Sequence, residues 1–227
     1  SFMRGENQLK QTHVDNFTAI LPLFPYSGED KAGAVKGEMD RAIEKGLKLI
    51  QKKSITVRPK GRPDRDNPRQ MAFYNQREYN RVVDDAYILI GKAHLYNHEF
   101  FDALTALEYA FREFPGKAAQ FEALIWMAKT RVEMGDYENA LILLERYDGL
   151  GKAPAKLYPE YMATYADYLI RTGQYNSAIP FMIAAASGSN NKWDKSRRNF
   201  ILAQLYENAA QLENANVSYE RVIRSSP

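Results

Sequence analysis

The sequence contains no cysteine among its 227 residues. This absence excludes disulfide bonds, thiol nucleophiles and cysteine-based metal sites together. The chain also lacks an excess of one charge, because 31 basic residues stand against 28 acidic ones for a formal net charge of +3. So small a charge gives no indication of a nucleic-acid partner. No apolar run is long enough to cross a membrane, and no glycine-rich phosphate loop or nucleophile elbow is present.

What the sequence does contain is a repeated pattern. Alanines recur at positions 103, 140, 178 and 215, at spacings of 37, 38 and 37 residues. Twelve positions before each alanine stands a small residue: Gly91, Ala128, Ala166 and Ala203. Five positions before each stand His98, Gly135, Gly173 and Ala210. A fixed period in the thirties is typical of a helical repeat array.

These stretches resemble the tetratricopeptide (TPR) repeat and predict an all-α, TPR-type helical-repeat solenoid of about four helical hairpins plus an amino-terminal helical cap. Small residues let the two helices of a hairpin approach closely. Gly135 and Gly173 suit a turn that requires a positive φ. Pro115 is expected to end a helix, since proline cannot continue one. We expect Ala103, Ala140 and Ala178 to be buried against the partner helix and strand content to be negligible.

Three regions follow from this pattern. Residues 1–37 are predicted to be an extended amino-terminal segment, and residues 38–83 a degenerate helical cap with a basic loop. Residues 84–227 hold four TPR-like repeats, at 84–117, 121–154, 159–192 and 196–227. Within the cap, helices are predicted from about Glu38 to Lys53 and from roughly Arg69 to Val83, with a loop from Arg58 to Asn67. Residues 1–3 look like an expression-vector remnant, and the chain is interpreted as a fragment of a longer protein.

Candidate chemistry is sparse. His94 and His98 are four apart on a predicted helix and could share a metal ion, but the sequence places no third ligand near them, so a structural role is favoured. Asp84 and Asp85 are adjacent and should point to different helix faces, which does not suit paired acid–base work. A basic loop is read as solvated, with an acidic docking site as the alternative; it holds Arg58, Lys60, Arg62, Arg65 and Arg69. We therefore predict no enzyme activity, catalytic residue, cofactor, metal site or small-molecule substrate.

The predicted solenoid offers a concave surface built from the first helix of each hairpin. Its expected protein-binding residues are Ile88, Lys92, Leu95, Tyr96, Ile125, Lys129 and Phe200. The apolar members lie on faces that packing within a repeat should not require. The alternative is that the segment from Phe17 to Phe24 fills this groove, which would move partner binding to the convex face or to the loop around Arg62. Chaperone-binding TPR proteins use a Lys/Asn/Lys/Arg clamp, whereas Ile88, Trp126, Glu160 and Thr164 stand at four of the corresponding positions here, which argues against a chaperone-tail adaptor.

The segments outside the repeats carry a second resemblance. "THVDNFTAILPLFPY", "MDRAIEKGLKLIQKKSI" and "EYNRVVDDAYILIGKAHLYNHEFFDAL" look like the amino-terminal region of the SprE/PorW lipoproteins of Bacteroidetes, over residues from about Thr12 to Tyr147. The resemblance implies a non-catalytic scaffold that faces the periplasm from the outer membrane. Such a scaffold would bridge the ring and translocon parts of the type IX secretion and gliding motility machinery.

The same resemblance implies protein partners of the secretion machine in the cell envelope and attachment to the outer membrane only through a lipid anchor outside this sequence. The alternative is another periplasmic TPR lipoprotein, such as an outer-membrane-protein assembly factor or a glycan-uptake component.

Overall fold

The computed structural model describes residues 20, 21, 23, 29–53, 61–75 and 82–225. These residues form ten α-helices and one short 3₁₀-helix, Ala155–Leu157, and contain no strand. The α-helices are α1 (Glu29–Lys53), α2 (Pro68–Asn75), α3 (Val83–Tyr96), α4 (Phe100–Glu113), α5 (Ala118–Glu133), α6 (Tyr137–Gly149), α7 (Tyr158–Arg171), α8 (Tyr175–Gly188), α9 (Lys192–Asn208) and α10 (Leu212–Ser225). From α3 onward they pack as four hairpins, α3 with α4, α5 with α6, α7 with α8 and α9 with α10. No helix in the described ranges has the length and apolar character needed to cross a bilayer.

All four hairpins reverse direction through the same backbone conformation. The second residue after the first helix is left-handed in each, with φ of 61° at His98, 76° at Gly135, 77° at Gly173 and 56° at Ala210. The following residue donates its N–H to a carbonyl five positions earlier, as Asp136 does to Arg131 at 2.9 Å. This is the Schellman arrangement, which satisfies carbonyls that a helix end would otherwise leave open. The prediction that the chain turns at these four residues is confirmed.

Small side chains set the distance between the two helices of a hairpin. Ala103, Ala140 and Ala178 are completely buried, which confirms their predicted position against the partner helix. At Gly91 the approach is closest, since an added Cβ would lie 2.5 Å from Leu107 Cγ and 3.3 Å from the Ala103 carbonyl oxygen. Larger residues at these points would therefore push the helices apart.

The amino-terminal cap differs from its prediction at its start. Helix α1 begins at Glu29 rather than at Glu38, so the segment predicted to be extended to residue 37 already contains helix. No proline interrupts residues 26–58, which leaves this stretch free to continue as one helix. Met39 and Ala42 of α1 are buried in the cluster that also holds the first hairpin. The Asn97 side-chain amide donates to Asp40 Oδ1 at 2.8 Å, which ties α1 to the first turn.

Two other boundaries also shift. The helix predicted from Arg69 to Val83 is α2, which ends at Asn75; residues 76–81 lie outside the described residues, and α3 starts at Val83. The last hairpin starts at Lys192, inside the range predicted for repeat three, because the Asn191 side chain caps α9 by accepting from the Trp193 N–H at 2.9 Å. Helix α4 ends at Glu113, just before Pro115, as predicted.

We predict that Ala210→Gly stabilises the protein by about 1 kcal/mol, because glycine adopts a left-handed φ without the steric cost that a Cβ imposes. The matched opposite change is Gly135→Ala, where a Cβ would meet nothing within 4 Å and the cost is that of the backbone conformation alone. Urea unfolding of both variants checks this. Equal stability of the two variants and the parent chain would contradict the strain argument.

Candidate functional site

The first helices of the hairpins, α3, α5, α7 and α9, form the concave face, and two repeat positions on them carry most of its polar side chains. One position follows the small residue of each repeat and holds Lys92, Lys129, Asp167 and Gln204. The other lies early in each first helix and holds Asp85, Glu122, Glu160 and Arg197. The first position of one repeat faces the second position of the next. We call each such pairing a rung.

The first two rungs are closed by ion pairs between neighbouring hairpins. Lys92 Nζ of α3 lies 2.5 Å from Glu122 Oε1 of α5. Lys129 of α5 pairs with Glu160 of α7, which also accepts from Arg198 of α9. The Trp126 ring lies between the two lysines, with its centroid 4.6 Å from Lys92 Nζ and 4.1 Å from Lys129 Nζ. Both lysines that were expected to orient a partner are therefore engaged inside the protein.

Glu160 is the charge on which this network converges. Desolvation raises the pKa of its carboxyl, but Lys129 and Arg198 outweigh that effect and hold the pKa well below its ordinary value. Arg198 is itself enclosed and donates further hydrogen bonds, to Ser189 Oγ at 2.7 Å and to the Ala185 carbonyl at 3.2 Å. The side chains of Lys129, Glu160 and Arg198 thus join three successive hairpins through charge-assisted hydrogen bonds.

A second charged group lies deeper, where Arg171 of α7 contacts two buried carboxylates. Its Nη2 donates to Glu133 Oε1 of α5 at 2.7 Å, and its Nε lies 3.6 Å from Asp167 Oδ1. Both acidic side chains are only 2% exposed. Burial, together with the charge of Asp167, raises the pKa of Glu133 to about 8 against the opposing effect of Arg171. Burial also raises the pKa of Asp167. One guanidinium cannot fully compensate two buried negative charges, so Glu133 holds a proton at neutral pH.

At the third rung the acidic residue comes first and the basic residue second, the reverse of the first two rungs. Side chains of this rung bind part of the amino-terminal segment. Asp167 of α7 and Arg197 of α9 stand where Lys129 and Glu160 stand one repeat earlier. Arg197 Nε donates to the Leu23 carbonyl at 3.1 Å. Gln204 Oε1 accepts from the Leu21 N–H at 2.8 Å.

The apolar side chains of this segment are buried as well. Leu21 and Leu23 are each 8% exposed. They belong to one hydrophobic cluster with residues of the third and fourth hairpins, and Ile20 packs against it. Among its described residues, the amino-terminal segment therefore occupies the groove at repeats three and four, as the alternative interpretation proposed. The rest of the stretch from Phe17 to Phe24 lies outside the described residues.

The expected apolar anchors of repeats one and two are core residues. Ile88, Leu95 and Ile125 are at most 3% exposed, and Tyr96 is enclosed beside Trp126, with ring centroids 6.5 Å apart. The expectation that packing does not require these side chains is wrong, because a first helix is covered by its partner and by its neighbours in the stack, which for α3 are α1 and α5. Replacing Tyr96 and Ile125 by alanine is therefore expected to destabilise the fold. Of the seven predicted residues, Lys92 and Phe200 retain partial exposure, and their role in binding stays a prediction.

Sequence reasoning missed the charged residues that bridge hairpins, although a signal was present. Glu133 and Arg171 occupy one repeat position, five residues after the small residues Ala128 and Ala166, and are an acidic and a basic residue. Lys129 and Glu160 stand at the two positions that form a rung in neighbouring repeats. Opposite charges at facing positions of successive repeats are what an interhelical ion pair requires.

The two predicted metal-ligand candidates do not form a site together. His94 Nδ1 lies 2.7 Å from Glu99 Oε2. Donor atoms of His94, Glu99 and Asp102 lie within 4.8 Å of one another, a group that does not include His98. His98 instead forms the first turn and packs near the Phe100 ring, with centroids 5.8 Å apart.

The remaining candidates lie apart from the concave face network. Asp85 is exposed, whereas Asp84 is partly buried, its Oδ2 lying 3.9 Å from Lys117 Nζ, and desolvation raises its pKa. Arg62, Arg65 and Arg69 are all exposed, as a solvated loop requires. Arg58 and Lys60 fall outside the described residues.

Comparison with known proteins supports the architecture. No protein-family profile and no curated protein sequence matches the chain. A crystal structure of MamA aligns with a TM-score of 0.52 at 14% identity and covers 88% of this chain and 95% of that one. The fold is a TPR-type helical solenoid. A second MamA structure, from AMB-1, aligns with a TM-score of 0.46 at 14% identity, covering 82% of this chain and 91% of that one.

Burial of Glu133 makes stability depend on pH. The folded protein keeps a proton that the unfolded chain releases, so the free energy of unfolding should fall as pH rises from about 4.5 to about 8. The contribution is at most about 1.4 kcal/mol per pH unit. Glu133→Gln should flatten this slope, whereas Glu138→Gln, at an exposed site on α6, should leave it unchanged. Urea unfolding across this pH range measures both, and a slope as steep in Glu133→Gln as in the parent chain would contradict the assignment.

We predict that His94 is structural and that the purified protein holds no stoichiometric metal. The Glu99 carboxylate already accepts from the His94 ring, which links α3 to the turn before α4. Elemental analysis of the parent chain and of His94→Ala tests this, with His98→Gly as the control for the turn. Stoichiometric zinc that disappears in His94→Ala would overturn it.

Proposed function

We propose that this chain is a non-catalytic protein–protein interaction scaffold, and that it serves as a periplasm-facing component of the type IX secretion and gliding motility machinery. One observation carries the scaffold proposal: side chains of the concave face, Gln204 and Arg197, hydrogen-bond to backbone groups of the chain's own amino-terminal segment, at Leu21 and Leu23. A surface that holds its own segment in this way has the chemistry to hold a segment of another protein. Support for the secretion machine comes from the flanking segments, which resemble SprE/PorW lipoproteins.

In this proposal the protein lies on the periplasmic side of the outer membrane, held there by a lipid anchor that the full-length protein carries. Its partners are proteins of the secretion ring and translocon, and no nucleic acid is involved. Of the alternatives, a glycan-uptake component would use exposed aromatic rings as platforms for sugars. Trp126 is 6% exposed and enclosed by two lysines, so it does not offer such a platform, and Trp193 is the exposed tryptophan that this alternative would require. The other alternative, an outer-membrane-protein assembly factor, differs from the proposal in the partner proteins that the chain should capture.

The proposal is tested by capture from envelope extracts of a gliding bacterium, with the chain as bait. We expect ring or translocon proteins to be recovered. Phe200→Ser, on the concave helix α9, should reduce their recovery several-fold. Ile183→Ser, which changes an exposed apolar residue on the second helix α8, is the control for a substitution outside the concave face. Melting temperatures of both variants show whether a loss reflects unfolding. Recovery of assembly-factor or nutrient-uptake components instead would overturn the secretion assignment.

A further inference from the structure

We propose that the third rung is a docking site for an extended segment of a partner protein with apolar side chains two residues apart, and that residues 20–23 are its built-in competitor. This inference rests on the proposed function and names both the kind of partner and the regulation of its site. It commits to a polypeptide ligand that lies along Asp167, Arg197 and Gln204.

Polar side chains at the third rung form hydrogen bonds with the backbone of the bound segment. The Leu23 carbonyl accepts from Arg197 Nε, and the Leu21 N–H donates to Gln204 Oε1. Every residue offers the same backbone N–H and C=O groups, except that proline lacks the N–H. The contacts therefore recognise backbone groups and leave the side chains to be selected by the groove.

The groove selects apolar side chains at alternate positions. Leu21 and Leu23 are two residues apart, so in an extended chain they lie on the same side. Both enter the cluster that contains Ala163 of α7. The residues equivalent to Ala163 in repeats one and two are Ile88 and Ile125, which fill this position with their own side chains. The small side chain in repeat three leaves room for a leucine from outside the repeats.

Among the described rungs of the concave face, the third is the one whose side chains bind another segment of the chain. The rungs before it are closed by Lys92 with Glu122 and by Lys129 with Glu160. At the third rung the corresponding side chains bind the segment. Two independent features, the small residue and the altered rung, therefore coincide at repeats three and four and point to the same ligand.

Tethering makes residues 20–23 an effective competitor. The segment is joined to α1 through residues 24–28 only, and short linkers give effective concentrations on the order of millimolar. A partner segment must displace it, so the apparent affinity of the parent chain is reduced by the fraction of molecules with an open groove. A partner with a longer apolar segment, or one presented by a neighbouring subunit of a large assembly, meets this requirement.

The test uses the full chain and a fluorescently labelled peptide of residues 17–26, FTAILPLFPY. In the variant Leu21→Ser/Leu23→Ser the tethered competitor is weakened while the groove residues remain. Fluorescence polarisation should show that this variant binds the peptide at least about tenfold more tightly than the parent chain does. A peptide with serine at both leucine positions should not bind either protein.

Groove variants identify the site. Within the Leu21→Ser/Leu23→Ser background, Gln204→Leu should weaken peptide binding by several-fold, because it removes the acceptor of the Leu21 N–H. Arg112→Met, at an exposed position of α4, is the matched control and should have no effect. Equal affinity of the parent and open chains, or no binding to an open chain with unchanged circular dichroism, would overturn the proposal and leave the segment as a structural strap.

A second design covers the case in which the double variant does not fold. A specific protease site inserted after Tyr26 allows the tether to be cut after folding, and the labelled peptide should then exchange into the cut protein but not into the uncut one. Absence of exchange overturns the proposal. These readouts are separate from partner capture: peptide binding without secretion proteins in the capture experiment rejects the secretion assignment alone, and capture without peptide binding rejects this docking site alone.

Discussion

The close approach of paired helices at small residues is the constraint on which the rest of this structure depends. Ala103, Ala140 and Ala178 are completely buried, and a Cβ at Gly91 would lie 2.5 Å from Leu107. Because every hairpin has nearly the same internal spacing, successive first helices face one another in the same register. Residues at equivalent repeat positions then meet across each boundary between hairpins. The rungs of the concave face are a direct consequence of this regular spacing.

Burying the charged side chains of that face costs desolvation free energy, and these side chains therefore have several ion-pair and hydrogen-bond partners. Glu160 receives Lys129 and Arg198, and Arg198 makes further hydrogen bonds to α8 and to the residue after it. A buried pair of this kind adds little net stability compared with apolar packing, but removing one member leaves a costly unpaired charge. The network thus favours one register of neighbouring hairpins over others. Glu133 meets the same constraint differently, by keeping its proton.

The repeat pattern was sufficient to predict the hairpins, their turns and the buried alanines, because each depends on local sequence. Even His98 and Ala210, which lack the conformational freedom of glycine, adopt the left-handed φ that their repeat position demands. Burial of Ile88 and Ile125 could not be judged in that way, since it depends on helices outside their own repeats. The predicted start of α1, Glu38, lies after its observed start at Glu29 because a pattern of apolar residues marks a buried face and not a helix end.

The position of residues 20–23 is the clearest case of a contact beyond local sequence. Leu21 and Gln204 are separated by 183 residues and yet share a hydrogen bond. Their meeting depends on two departures from the repeat, the alanine at position 163 and the exchange of lysine for Asp167. Either departure alone would not indicate a binding groove, since solenoid repeats vary at many positions. Together they convert a closed, ion-paired face into a groove with backbone-binding side chains, at the one place where the described chain provides a segment to occupy it.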